Sequence, residues 1–244
     1  MGMSSVVLVT GAARRVGAAI VRELHAAGWN VVIHANRSLG EAEALAAGLN
    51  QGRPDSARAL QADLLDPAAL EHLAQSARDT WGRLDALVNN ASTWYPTPIG
   101  QLTAAAFEDL VGSNLRAPLL LTQACAARME RGAVVNILDV HARRPRRGYS
   151  AYTAAKAGLW AVTEALALEL APRIRVNGVA PGHMIWPEAG SPNLLQPQDE
   201  LARVPLARLG GGEEIARAVK FLLSPEAAYV TGAVLPVDGG LRLG

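Results

Sequence analysis

The chain has 244 residues, half of them hydrophobic, which suits one α/β domain long enough to bury a substantial core. Its 23 Lys and Arg against 22 Asp and Glu leave a formal charge of +1, which argues against a protein built to hold nucleic acid or another polyanion. The single cysteine, Cys125, excludes an intramolecular disulfide, and its place in LLLTQACAARM predicts a buried, inert thiol. No charged segment followed by a long apolar stretch opens the chain, Val6 stands where a myristoylation motif requires Ser or Thr, and no apolar run reaches membrane-spanning length. The expectation is a soluble, cytoplasmic protein.

Short β-branched runs alternate with longer Ala-rich ones along the whole chain. The first strand, VVLVT (6–10), leads into Thr10-Gly11-Ala12-Ala13-Arg14-Arg15-Val16-Gly17 and a helix predicted over 15–27. Glycines at such a strand-to-helix turn let the backbone approach a pyrophosphate, and the helix start offers N–H groups and a positive dipole end. The second strand, NVVIHA (30–35), ends in His34-Ala35-Asn36-Arg37-Ser38, with no acid before Glu41. An NAD site wants a carboxylate there for the ribose 2′-hydroxyl, whereas Arg37 and Ser38 suit the 2′-phosphate of NADP.

The pattern continues with a helix over 40–50, a strand over 56–62, a helix over 67–80 and a strand over 84–90. A long helix is predicted over 103–130, then a strand over 132–138, a helix over 149–171 and a strand over 173–180. The irregular stretch 183–205 has the length of a binding loop or lid, and a helix over 212–224 precedes a last strand at 233–237. Several strands are apolar without alternation, as in a parallel sheet covered on both faces. The fold expected is a single-domain, Rossmann-type doubly wound parallel sheet of about seven strands, spanning 1–244, with helices on both faces.

Tyr152 and Lys156 lie four residues apart at the start of the helix over 149–171, so phenol and ammonium share one face. A nearby ammonium lowers a phenol's pKa and fits it for proton transfer. The basic run Arg143-Arg144-Pro145-Arg146-Arg147 is short and broken by proline, so it reads as a solvated loop rather than a nucleic-acid patch. Lying between Asp139 and Tyr152, it could instead attract an anionic substrate tail such as the glutamate of a folate. The histidines at 25, 34, 72, 141 and 183 have no metal-ligand spacing, and no metal is expected.

With TGAARRVG, Asn89-Asn90-Ala91, the Tyr152/Lys156 pair, RVNGVAPG and YVTGAVLPVDGG, the chain resembles the short-chain dehydrogenase/reductase family over essentially its full length. The resemblance implies Tyr152 as acid/base, Lys156 on the nicotinamide ribose, and Asn114 in a proton relay through water. It implies adenine contacts from Asp63 and Leu64, and Pro181-Gly182 beside the nicotinamide. Gly11, Arg15, Val16, His34, Arg37, Ser38, Asn90, Ala91 and Ser92, with Tyr152 and Lys156, complete the implied cofactor set. It also implies a homotetramer, built partly on the region after Gly210.

Two positions depart from the general family pattern: Arg15 replaces a glycine, and Asp139, thirteen residues before Tyr152, replaces a serine. That serine donates a hydrogen bond to a substrate carbonyl, which an ionised carboxylate cannot do. A carboxylate instead suits a substrate with N–H donors, such as an aminopyrimidine edge, and helps keep Tyr152 protonated. Both departures, with HANRS, EAEALAAGLN, RPDSARALQADL and NNASTWYPTP, resemble the pteridine reductase subgroup. The subgroup implies NADPH reducing a dihydropterin, with dihydrofolate or biopterin as further substrates. A pterin would lie between Trp94 and the nicotinamide, within reach of Arg15, Asp139 and Tyr152. Asn36 departs from the subgroup's histidine. The alternatives are a carbonyl reductase acting on 3-oxoacyl thioesters, and a non-catalytic NADP sensor, against which the retained Tyr152 and Lys156 speak. Trp94 could also simply pack in its loop, and Asp139 could cap a helix or pair with Arg143.

Overall fold

A computed structural model describes residues 4–182 and 201–243. Seven strands form one parallel sheet: β1 (Val6–Val9), β2 (Asn30–Ala35), β3 (Ala57–Gln61), β4 (Ala86–Asn89), β5 (Gly132–Ile137), β6 (Ile174–Pro181) and β7 (Val234–Val237). Their order, β3-β2-β1-β4-β5-β6-β7, reverses between β1 and β4, which opens a crevice at the carboxyl ends of those two strands. The doubly wound expectation therefore holds, and each strand lies within two residues of its predicted ends.

The two-residue period of a strand explains both cores. In β1, Val7 and Val9 pack with Ile20, Val21 and Leu24 of α1 (Arg15–Ala26) and with Ile215 and Val219 of α7 (Gly212–Leu223). Val6 and Leu8 point the other way, towards Leu70 and Leu73 of α3 (Pro67–Trp81), Leu121 of α5 (Ala117–Ala126) and Leu166 of α6 (Ser150–Leu170). The remaining helices are α2 (Leu39–Gly52), beside β2 and β3, and α4 (Ala104–Val111). Cys125 is fully buried in the second core, which pushes its thiol up to about 12.

The helix expected over 103–130 is instead three pieces: α4, a π turn at Gly112–Arg116, and α5, which ends at Ala126. Local sequence supplies the cause. Pro118 has no N–H to give a helical carbonyl, and the Ala117 N–H reaches the Gly112 carbonyl across the wider π turn. The bulge turns Asn114 fully inward, towards the loop that follows β4.

Behind that turn, β4 and β5 share a buried polar chain. Asn89 donates to Asn136 (2.8 Å), Asn136 donates to the Thr163 hydroxyl (2.9 Å), and that hydroxyl donates to the Leu159 carbonyl (2.7 Å). Thr163→Val keeps the shape and removes the acceptor, stranding a buried amide donor. We expect it to lower unfolding stability by about 1–3 kcal/mol in urea titrations; an unchanged midpoint would mean that the amide finds another acceptor.

Candidate active site

The crevice is closed at its base by a clasp between the ends of β1 and β4. The Thr10 hydroxyl accepts the N–H groups of Asn90 and Ala91, both at 3.0 Å, and the Asn90 amide donates to the carbonyls of Thr10 (2.9 Å) and Gly11 (3.0 Å). Gly11 sits at φ +58°, and a Cβ there would come 2.8 Å from the Ala91 Cα, so only glycine fits. The next helix begins with an open amide end: Arg14 makes no side-chain cap and the first turn of α1 has no acid.

His34, expected among the cofactor contacts, lies beneath this turn instead. Its Nδ1 accepts the Gly11 N–H (3.2 Å) and its Nε2 donates to the Ala62 carbonyl (3.2 Å), and burial pulls its pKa down to about 4. It is therefore a neutral ring that supports the Gly11 turn, with both nitrogens engaged by the backbone. At the end of β2, Arg37 is exposed, and the Ser38 hydroxyl at the start of α2 makes no cap bond. Glu41 lies 3.9 Å from Arg14, and Asn36 donates to Asp63 (3.3 Å), which also accepts from the Leu65 N–H. Leu64 packs against the core of the α3 side, and Val16 is half-buried against the α1 side.

Arg15 has φ +53°, in the left-handed region that costs a side-chain-bearing residue about 1–2 kcal/mol. Backbone strain of this kind persists where surrounding contacts or function maintain it. The glycine usual at this position in the family has the same physical explanation.

The proton-handling groups gather at the end of β5. Asp139 starts a short 3-10 turn and uses both oxygens: Oδ1 accepts the His141 N–H (2.7 Å) and Oδ2 accepts the Tyr152 hydroxyl (2.8 Å). The capping alternative is thus realised alongside the contact with Tyr152. The pairing with Arg143 is not, because that guanidinium lies over Trp160 (4.3 Å) and 3.8 Å from Glu164. Lys156 donates to the Ile137 carbonyl (2.8 Å), and its Nζ stands 5.9 Å from the centre of the Tyr152 ring. Burial, and then Asp139, push the Tyr152 phenol well above its ordinary value, while burial brings the Lys156 ammonium down to about 8. The lowering of the phenol expected from Lys156 is therefore outweighed, and Tyr152 stands as a protonated donor.

Asn114 is held rather than offered. Its side-chain oxygen accepts from Ser92 (2.6 Å), and its amide donates to the carbonyls of Thr93 (2.9 Å) and Leu110 (3.0 Å). The Ser92 hydroxyl acts on Tyr152 in the direction opposite to Asp139. Trp94 does pack in its loop, on one face: it stacks on Tyr149 at 4.9 Å and 15°, and remains half-buried. Tyr149 escaped the sequence reading, although an aromatic three residues before Tyr152 was a visible signal. Pro181 ends β6, and a Cβ on Gly182 would meet Asp238 at 2.8 Å. Most of the expected substrate loop, 183–200, lies outside the described residues. Among the described residues no acid, histidine or cysteine cluster could hold a metal ion, and no helix is long and apolar enough to cross a membrane.

Relieving the left-handed strain, Arg15→Gly should raise unfolding stability by about 0.5–1 kcal/mol, the left-handed penalty less the added chain entropy. A drop in stability would show that the side-chain contacts of Arg15 outweigh it.

A family model described as enoyl-(acyl carrier protein) reductase matches residues 11–242. The chain is 40% identical over 280 residues to pteridine reductase 1 of Leishmania tarentolae, covering 98% of this chain and 96% of that protein. It is 36% identical over 242 residues to the 3-oxoacyl-(acyl-carrier-protein) reductase FabG of Escherichia coli (strain K12), covering 98% and 97%. To the FabG of Staphylococcus aureus (strain Mu50) it is 33% identical over 247 residues, with both chains fully covered. Full-length similarity of this kind agrees with the single parallel sheet and with the Tyr152/Lys156 pair at its edge. The chain belongs to the short-chain dehydrogenase/reductase family of oxidoreductases.

Proposed function

We propose that this chain is an NADPH-dependent pteridine reductase, converting a dihydropterin to the tetrahydro form, with dihydrofolate and biopterin as further substrates. The hydrogen bond from Tyr152 to Asp139 carries the reading. A reductase for 3-oxoacyl thioesters wants a donor facing the substrate carbonyl, and a carboxylate at that point would repel the developing alkoxide. The same carboxylate can accept the N–H groups of an aminopyrimidine. The likeness to pteridine reductase 1 supports this, and the likeness to the 3-oxoacyl reductases keeps carbonyl reduction as the second reading. Buried, mutually placed Tyr152 and Lys156 support catalysis over a purely sensing role.

The residues present fit a dinucleotide phosphate cofactor. Gly11 has no room for a side chain, the amides of α1 are uncapped, and the Ser38 hydroxyl and Arg37 stand where β2 ends without a carboxylate. Gly11, Arg15, Val16, Asn90 and Ala91 would hold the phosphates and inner ribose, Asp63 and Leu64 the adenine, and Arg37 with Ser38 the 2′-phosphate. Pro181, Gly182 and Ser92 would border the nicotinamide, and Lys156 would hold its ribose. Bound there, NADPH supplies the hydride. Tyr152 supplies the proton from its hydroxyl, kept protonated by burial and Asp139. Asp139 would orient the ring, Trp94 would offer a flat wall, and Arg15 would reach both the cofactor phosphates and the pterin. Asn114 holds Ser92 and, through it, the setting of the Tyr152 hydroxyl. Exposed apolar side chains at Phe107, Leu168 and Tyr229 suit burial between copies, and we propose a homotetramer.

The test is NADPH oxidation with dihydrobiopterin and, in parallel, with a 3-oxoacyl thioester. Turnover of the pterin alone is expected; turnover of the thioester alone would overturn the reading of Asp139. Tyr152→Phe should retain NADPH binding and lose turnover by about 10²–10⁴-fold.

The pH profile offers a separate check. With the Lys156 pKa near 8, its ammonium is present below that pH and is lost as pH rises through it. Because that charge would hold the ribose and steady Tyr152, kcat/KM should fall on an alkaline limb near pH 8. A profile flat beyond pH 9.5 would show that Lys156 keeps its ordinary pKa.

A further inference from the structure

Three side chains tie the loop after β4 to α4 and the π turn. Ser92 donates to Asn114 (2.6 Å), the hydroxyls of Thr93 and Ser113 share a bond (2.5 Å), and the Tyr95 hydroxyl donates to Asp109 (2.8 Å). Ser113 in turn donates to the Asp109 carbonyl (2.8 Å), so the last two ties meet at one residue of α4.

The bond from Tyr95 to Asp109 is the one that bears on substrate. The Tyr95 ring packs against the cluster of Leu110, Tyr149 and Tyr152, and the Ala106 carbonyl gives its hydroxyl a second acceptor at 3.2 Å. Burial, and then the bond to Asp109, push this phenol up to about 12, so it stays a donor at any working pH. A hydrogen bond to a carboxylate is about twice as strong as one between neutral groups. The aromatic loop is therefore pinned to α4 by a strong, half-buried contact.

Trp94 stands between the ties of Thr93 and Tyr95 and stacks on Tyr149. Beyond Tyr95 the chain reads Pro96-Thr97-Pro98, and the Thr97 N–H donates to the Gly148 carbonyl (2.6 Å), beside Tyr149. Prolines fix φ on both sides of that bond, so a shift at Tyr95 reaches both loops that carry the stack. A flat side chain binds a ring tightly only if it is already in place, because ordering it on binding costs affinity. We propose that Tyr95 and Asp109 form a latch that holds the Trp94 wall ready for the substrate ring. This rests on the pterin reading above and adds two positioning residues to it, which act through the loop and do not touch the reacting ring.

The test uses the full-length enzyme with dihydrobiopterin. Tyr95→Phe and Asp109→Ala should each raise its KM about three- to ten-fold, with kcat and the Kd for NADPH unchanged. Asp109→Asn keeps an oxygen that can accept from Tyr95 and should restore the original KM. The double variant Tyr95→Phe/Asp109→Ala should be no worse than either single one, because the same bond is lost once. A second readout needs no turnover: the emission of Trp94, taken as the difference between each protein and its Trp94→Phe counterpart. Acrylamide should quench it more readily in Tyr95→Phe and to the original extent in Asp109→Asn. Normal pterin turnover with an unchanged KM and unchanged quenching in Tyr95→Phe overturns the latch alone. Additive losses in the double variant overturn the pairing, and a parallel loss of NADPH binding overturns the positioning role by marking a general structural effect. Absence of pterin turnover in the unsubstituted enzyme overturns the functional reading, and the latch as a device for that substrate with it.

Discussion

Everything in this site hangs from the reversal of strand order between β1 and β4. The two strands are paired up to Val9 and Val88, and the loops that follow them are tied together by the Thr10 hydroxyl accepting two amides of the β4 loop. Glycine at position 11 is the corollary, because the two loops approach too closely for a Cβ. From this one junction the amide end of α1 points along one side and the Ser92–Trp94 loop along the other. The neighbouring strand β5 then delivers Asp139 to the same edge of the sheet. Binding and chemistry are brought together by backbone geometry before any catalytic side chain is chosen.

The proton-handling centre is expensive to maintain. A carboxylate, a phenol and an ammonium share a largely buried space, and the Lys156 pKa is lowered because burial outweighs the attraction of Asp139. Such groups are tolerated when their bonds are satisfied, and here each has a partner: Asp139 accepts twice, Tyr152 donates to it, and Lys156 donates to the Ile137 carbonyl. Strain adds to this cost at Arg15, the one residue of α1 with a left-handed backbone. Costs gathered in one place are the physical signature of a working site. The clearest departure from the family pattern, a carboxylate that accepts where the family donates, lies at its centre.

Much of this was legible in the chain. Strands buried on both faces, as β1, β2, β4 and β5 are, leave continuous apolar runs, whereas the edge strands β3 and β7 followed from their place in the strand-helix alternation; the Tyr152/Lys156 spacing marked one helix face. Other features depend on partners far away in sequence. His34 reads as a cofactor contact until the fold shows both ring nitrogens engaged, one with the Gly11 amide and one with the Ala62 carbonyl. The long helix over 103–130 looked continuous because its composition is helical throughout, and only the inward turn of Asn114 shows what the π bulge does. Tyr149 gains meaning from Trp94, fifty-five positions earlier, across the ring stack.

By itself the sequence determined the family, the doubly wound sheet, the glycine-bearing turn after β1, the absence of a carboxylate at the end of β2, and the placing of Tyr152 and Lys156 on one helix face. These are properties of local pattern and spacing, which survive without knowledge of neighbours. Only the tertiary structure decided how the charges balance: that Asp139 accepts the Tyr152 hydroxyl, that Lys156 loses part of its basicity, and that Arg143 and Arg144 are held by Glu164 and the Leu241 carbonyl. Ionisation and unpaired donors depend on what surrounds a group in space, and that environment is assembled from segments the chain keeps far apart.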